Sequence, residues 1–204
     1  MTEQNKSKVN LKSSALTIAV LAILMAAQAV LGLLEIHTAT IKISLSFIPV
    51  VIAARLYGAV GGALVAGVGD ILSCIIHPVG AWYPPITLTY ALTGVIFGLF
   101  LHKSRSFPRV LLSVCITQFI VSLFINTIWI SLLMYNSQDT MFIEFYFTKV
   151  AMRIWQVVIL TVIELALIPP MLKAMDSIRL FRKLSPAMAL GTASRKKQVN
   201  DSKE

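Results

Sequence analysis

Charge is the scarcest commodity in this 204-residue chain: Asp, Glu, Lys and Arg together make up 13% of it, against 57% hydrophobic residues. A soluble domain carries roughly a quarter charged residues, so an ordinary solvated surface is excluded. A mean hydropathy of +0.80 says the same. Cysteine is almost missing. Cys74 and Cys115 both fall inside apolar runs, where a thiol behaves as a small hydrophobe, so neither a disulfide framework nor a metal site is expected. There is no Gly-rich loop ending in Lys-Ser or Lys-Thr to cradle a nucleotide phosphate, so any energy supply must come from a partner. No repeat relates the two halves, which counts against an inverted-repeat transporter. No Ser lies at the depth of a His except Ser73 near His77, and that pair has no nucleophile turn around it. A small intramembrane protease or lipid-modifying transferase would lack its machinery, and no enzyme is expected.

What the chain has in quantity is long apolar runs. Ala15 to Leu34 is the first; at about 20 residues, with no small-residue cleavage site behind a short core, it reads as a retained span and not a signal peptide. Further segments follow at Leu45 to Tyr57, Ala59 to Ile76, Pro85 to Leu101, Val110 to Tyr135 and Phe142 to Ile168. The expected fold is therefore an all-α polytopic membrane protein with six transmembrane helices. The second segment is short for a hydrocarbon core of about 30 Å and must borrow from Ile41 to Ser44 or cross only partly. Gly58, Gly61 and Gly62 predict a tight turn between segments two and three, and Pro78, Gly80, Pro84 and Pro85 a stiff loop before the fourth.

Basic residues exceed acidic ones eighteen to nine, and their placement fixes an orientation. With the N-terminus inside, every Lys and Arg except Lys42, Lys149 and Arg153 falls on a cytoplasmic segment, so both termini are expected in the cytoplasm of a multi-pass protein of the cell membrane. The expected organisation is a polar N-terminus over 1–14, a six-helix membrane domain over 15–175 and a basic tail over 176–204. The positive-inside pattern accounts for a pI near 9.8 without nucleic acid, and the tail after Pro186 has no interleaved aromatics to stack on bases. Its expected neighbour is an anionic lipid surface.

Lys149 and Arg153 are the exception that carries function. They sit one helical turn apart inside the last apolar run, where each cation costs about 2.5 to 3.5 kcal/mol near the bilayer centre unless it faces a cavity or a partner. They point to an anionic ligand. Asp70, Asn126, Lys149 and Arg153 all fall roughly 10 to 16 Å below the outer surface at 1.5 Å per residue. Trp129 neighbours Asn126, and Gln118 lies two turns deeper on the same face. A pocket open to the outside, with a carboxylate on one wall, cations on another and an indole between, is the expected site. A purely structural ion pair of Asp70 with either cation is the alternative, as is neutralisation by Glu144 at the mouth. Trp82, Tyr83, Trp129 and Trp155 have the interface belt as their plainer role. Glu164, deep in the last span, suggests only a helix-packing partner.

The first span carries a different pattern, Ala15-x-x-x-Ala19 and Ala22-x-x-x-Ala26, with Ala29 continuing the row. In lipid, where apolar surface drives no association, small residues four apart let backbones approach and mark a packing face, internal or for a membrane partner.

Several runs carry a family resemblance: Ile43-Ser44-Leu45-Ser46-Phe47-Ile48-Pro49-Val50; Tyr57-Gly58-Ala59 with Gly61-Gly62; Gly67-Val68-Gly69-Asp70; and Pro78-Val79-Gly80-Ala81-Trp82-Tyr83-Pro84. Together they resemble the substrate-binding S component of an energy-coupling factor (ECF) vitamin transporter, most of all its folate-specific branch. The likeness runs from Ala15 to about Ile168. The chain departs from the branch at Ala59 and Pro85, where Pro and Gly are usual.

The resemblance implies an S-component-like bundle that binds its vitamin from outside. It also implies association with a membrane coupling subunit and two ATPases that hydrolyse ATP, and a toppling motion that opens the pocket inward. It implies no cofactor of the chain's own. It further assigns Ala15, Ala19, Ala22 and Ala26 to the coupling-subunit interface. Folate chemistry fits the charged layer: a pterin offers a ring N–H and an exocyclic amine to a carboxylate such as Asp70, and its glutamate tail suits Lys149 and Arg153. Trp82, Tyr83 or Trp129 would stack on the ring system and Asn126 would meet its polar edge, beneath a lid over His77 to Pro85. The same architecture with riboflavin or pantothenate as ligand is the alternative.

Overall fold

A computed structural model of the chain describes residues 3–33, 36–37, 42–76, 83–102, 106–134 and 141–177. Trp82, most of the lid over His77 to Pro85, and the tail from residue 178 lie outside the described residues. In chain order the elements are α1 (Glu3–Leu33), β1 (Ile36–His37), β2 (Lys42–Ile43), α2 (Phe47–Ile76), α3 (Pro84–Leu101), α4 (Phe107–Cys115), a π-helical segment (Ile116–Ile125), α5 (Asn126–Met134) and α6 (Phe142–Ser177). Five helical stretches are long and apolar enough to cross a membrane: Ala15–Leu33, Phe47–Ile76, Pro84–Leu101, Phe107–Leu133 and Phe142–Met175.

Three features differ from expectation. The second and third apolar runs form one element, α2, interrupted where the sequence places its turn: Gly58 has φ 72 and ψ −157, in a region open essentially to glycine alone. The first helix begins at Glu3, well ahead of the apolar run, and the last continues through Pro169 and Pro170 to Ser177. Those prolines remove the helical donors to the carbonyls of Leu165 and Ala166, a loss that packing against neighbouring helices tolerates in membrane proteins. A two-residue antiparallel ladder, Ile36 opposite Ile43 and His37 opposite Lys42, supplements the helices.

Local sequence explains the helix starts. Tyr83, extended at φ −125 and ψ 109 as a residue before proline must be, leads into Pro84 and Pro85 in the first turn of α3. Ser106 leads likewise into α4, which has Pro108 in its first turn.

Packing relies on absent side chains. A Cβ on Gly62 would strike the Gly94 carbonyl, one on Gly94 would strike the Gly62 carbonyl, and one on Gly98 would strike the backbone of Ala59. The numbering runs in opposite senses, so α2 beyond Gly58 and α3 lie antiparallel with their backbones touching. Gly69 does the same for α1, where an added Cβ would sit 2.6 Å from Cδ of Gln28. A buried apolar cluster that includes Val51, Ala54, Val65, Phe97, Leu101, Val114, Ile168 and Leu172 holds α2, α3, α4 and α6 together at the end where Leu101 lies. Arg55, buried there, donates from Nη1 to the carbonyls of Leu101 at 2.6 Å and His102 at 3.3 Å, while His102 Nδ1 lies 3.1 Å from the Arg55 carbonyl. A cation thus closes the C-terminus of α3, where the helix dipole favours one. The outward faces are apolar: Val60, Ile75, Leu88, Leu99 and Trp155 are each about 70% exposed, as lipid contact requires.

Candidate functional site

Above the apolar cluster the helices separate around a cavity of about 280 Å³. Val50 and Phe97, members of that cluster, line it, as do Ser44, Ser46 and Phe47, the last packed against the same cluster. The π segment makes one wall. Its i to i+5 hydrogen bonding widens each turn, a rare geometry found often at functional sites, and Thr117, Gln118, Val121, Ser122 and then Asn126 and Ile130 all line the cavity. From α6, Arg153, Gln156, Leu160 and Glu164 recur every three to four residues and face it. α3 contributes Ile86, Thr89, Tyr90 and Thr93, and α1 contributes Gln28.

Much of the polar lining is already engaged. Thr89 donates to the Pro85 carbonyl at 3.0 Å, Thr93 to the Thr89 carbonyl at 3.2 Å and Thr117 to the Ser113 carbonyl at 2.9 Å, so these hydroxyls serve their own helices. Ser44 and Ser46 bond each other at 2.7 Å. Other lining residues reach across helices. Arg153 Nη1 donates to Thr127 Oγ1 at 2.9 Å, Gln118 Nε2 donates to Glu164 Oε1 at 2.6 Å, and Gln28 Nε2 donates to the Ala66 carbonyl at 3.2 Å. Four buried oxygens of lining residues have no partner among the described residues: Gln28 Oε1, Gln118 Oε1, Asn126 Oδ1 and Glu164 Oε2. The cavity therefore combines a guanidinium, several unpartnered acceptors and apolar surface, as small-molecule sites do.

The residues singled out from sequence divide into two groups. Asn126 and Arg153 line the cavity; Asp70, Tyr83, Trp129 and Lys149 do not. Those four stand at the same end of the bundle as its Ser44 margin. Asp70 Oδ2 accepts a hydrogen bond from Thr87 at 2.7 Å, next to the lining residue Ile86. Tyr83 and Trp129 pair across α3 and α5 with ring centroids 6.4 Å apart and planes tilted by 58°. Lys149 Nζ lies 5.2 Å from the Phe145 ring centroid, one turn from Arg153 on α6. Glu164, which sequence gives only a packing role, is a lining residue bonded to Gln118. Its signal was legible in principle: Gln118 and Glu164 both lie in the inner half of their two antiparallel spans. Gln28, Tyr90 and Gln156 gave none. Among the described residues no group of His, Cys, Asp and Glu could hold a metal ion.

The alanine pattern of α1 is split. Ala15, Ala19, Ala22 and Ala26 are all exposed, whereas Ala29 is buried at 2% exposure. The four therefore form a shallow outward face, while Ala29 packs inside the bundle.

Comparison with known proteins agrees with this architecture. Over 111 residues the chain is 35% identical to the folate transporter FolT of Clostridium novyi, an alignment covering 54% of this chain and 64% of that relative. It is 29% identical over 121 residues to the folate transporter FolT of Leuconostoc mesenteroides, covering 58% and 65% respectively. The matches thus span just under two thirds of the length of these curated relatives. The fold also resembles the crystal structure of FolT bound with folic acid, with a TM-score of 0.67 at 23% identity, covering 80% of this chain and 95% of that one. Residues 16–176 match the family described as ECF transporter, substrate-specific component. With that match over most of its length, and with the helical bundle and cavity described above, the chain belongs to the substrate-specific components of ECF transporters.

Proposed function

We propose that this chain captures folate from the outer face of the cell membrane and delivers it as the substrate-specificity subunit of an ECF transporter. The observation that carries the reading is Arg153. It is a guanidinium lining an otherwise mostly apolar cavity, with a neutral hydroxyl as its hydrogen-bond partner. Such a group suits a carboxylate ligand. The relatives named as folate transporters support the choice of vitamin.

In this reading Arg153 meets the glutamate tail inside the cavity, with Lys149 one turn nearer the mouth to attract it. Asn126 meets a polar edge of the ligand. Tyr83 and Trp129, with Trp82 next to Tyr83 in sequence, form an aromatic margin through which the flat ring system passes, and Asp70 braces α2 against α3 through Thr87 and faces the entering ligand. The break at Gly58 divides α2 into two spans, giving six in all with both termini cytoplasmic, the arrangement that the positive-inside rule favours. Ala15, Ala19, Ala22 and Ala26 offer the coupling transmembrane subunit a face without bulk. The chain itself is a binding subunit and not an enzyme, and two partner ATPases hydrolyse the ATP.

Calorimetric titration of the detergent-purified chain with folic acid, riboflavin, pantothenate and thiamine in parallel tests the reading. Tight binding of folic acid alone is expected; preference for any of the others would overturn it.

A further inference from the structure

We infer that Glu164, held by Gln118, reads the nitrogen-donor edge of the ligand's heterocycle, an assignment that rests on the folate reading and names what the deep end of the cavity takes. Glu164 is 4% exposed and Gln118 7%, and both line the cavity. Gln118 spends its amide donor on Glu164 Oε1, and Gln28 spends its own on the Ala66 carbonyl. Four oxygens of the lining have no partner among the described residues, Glu164 Oε2, Gln118 Oε1, Gln28 Oε1 and Asn126 Oδ1. Buried polar atoms are normally partnered, so the unpartnered oxygens of the Gln118–Glu164 pair call for a ligand that brings donors.

A pterin does. Its exocyclic amine and adjacent ring N–H stand side by side, and a carboxylate accepts both in a two-point pair. A dioxo ring of the flavin type flanks its ring N–H with carbonyls instead, setting oxygen against oxygen. The terminal carboxyl torsion of a glutamate is soft, so Oε2 turns to the ligand without moving α6. Register agrees as well. Arg153 and Glu164 lie about three turns apart on one face of α6, roughly 16 Å along its axis, so an elongated ligand with donors at one end and an acid at the other meets both. Asp70, a second carboxylate, accepts from Thr87 outside the lining.

The test is calorimetric titration of the full chain with folic acid and with its 2-desamino-2-methyl analogue, which keeps the benzoylglutamate but loses the exocyclic donor. The unaltered chain should prefer folic acid by tenfold or more. Glu164→Gln replaces an acceptor with a donor, and should weaken folic acid at least tenfold and bring the two ligands level. Arg153→Ala should weaken both by the same factor and keep the preference. A Glu164→Gln protein that retains the preference, or weakens both ligands alike, overturns the assignment. Should that variant not elute as a single species, Gln118→Leu replaces it: a reduced preference supports the assignment and an unchanged one overturns it. If the unaltered chain does not bind folic acid, the functional reading falls and this inference with it; binding with the preference intact in the variants removes this inference alone.

Discussion

Arg153 of α6 donates to the hydroxyl of Thr127 on α5 at 2.9 Å, which fixes the guanidinium across the wall of the cavity with a neutral partner. A hydrogen bond to a charged group is worth about 1.5 to 3 kcal/mol, and each 1.4 kcal/mol is about tenfold in affinity. Arg153→Ala should therefore weaken folic acid binding tenfold or more while barely changing binding of a pterin without glutamate. Titration of both ligands checks this, and equal losses for the two would refute a role at the tail.

The touching backbones of Gly62 and Gly94 leave no space for a side chain. Gly62→Val or Gly94→Val should lower thermal stability by more than the ~1–3 kcal/mol typical of overpacking, because the obstruction is backbone and cannot rotate away. A melting curve followed by tryptophan fluorescence in detergent would measure it. A variant that melts with the parent protein would mean that α2 and α3 pack some other way.

Arg55, which is not a lining residue, closes the end of α3 through the carbonyls of Leu101 and His102. Arg55→Met should strip these acceptors of their donor and cost about 2 to 4 kcal/mol for the two bonds, lowering the melting temperature. The folded fraction should still bind folic acid as the parent does, since Arg55 does not line the cavity. Loss of affinity in well-folded protein would count against a purely structural role.

The exposed alanines of α1 separate binding from delivery. Ala22→Leu with Ala26→Leu adds bulk to an outward face, so vitamin binding by the isolated chain should be unchanged. Co-purification with a coupling subunit, and ATP-dependent uptake in reconstituted vesicles, should fall severalfold. Unimpaired assembly would place the interface elsewhere.

How far the sequence reaches is shown by α6 and its facing helix. The span, the cost of two cations within it and the turn at Gly58 could all be read from hydropathy and residue type, because each is a local property of the chain. Which polar residues share the cavity could not. Sequence depth groups Asp70 with Arg153, yet Asp70 turns to Thr87 while Glu164, eleven residues further along α6 than Arg153, lines the cavity. Lateral position depends on helix rotation, and in a span that is apolar nearly all round no periodicity reports it. The merging of two short runs into α2 has the same origin: a glycine break leaves no mark in hydropathy that tells a kink from a loop.

The π segment sets a condition on the length of its helix. An α-helix turns about 100° per residue, and the wider turns of Ile116–Ile125 already take up extra length, so inserting one residue there would swing everything beyond it by about that angle. Asn126 and Ile130 would leave the cavity wall, and Thr127 would leave Arg153. Recognition in this protein is thus tied to a count as well as to residue identity, and an insertion here should abolish ligand binding while every lining side chain is still encoded.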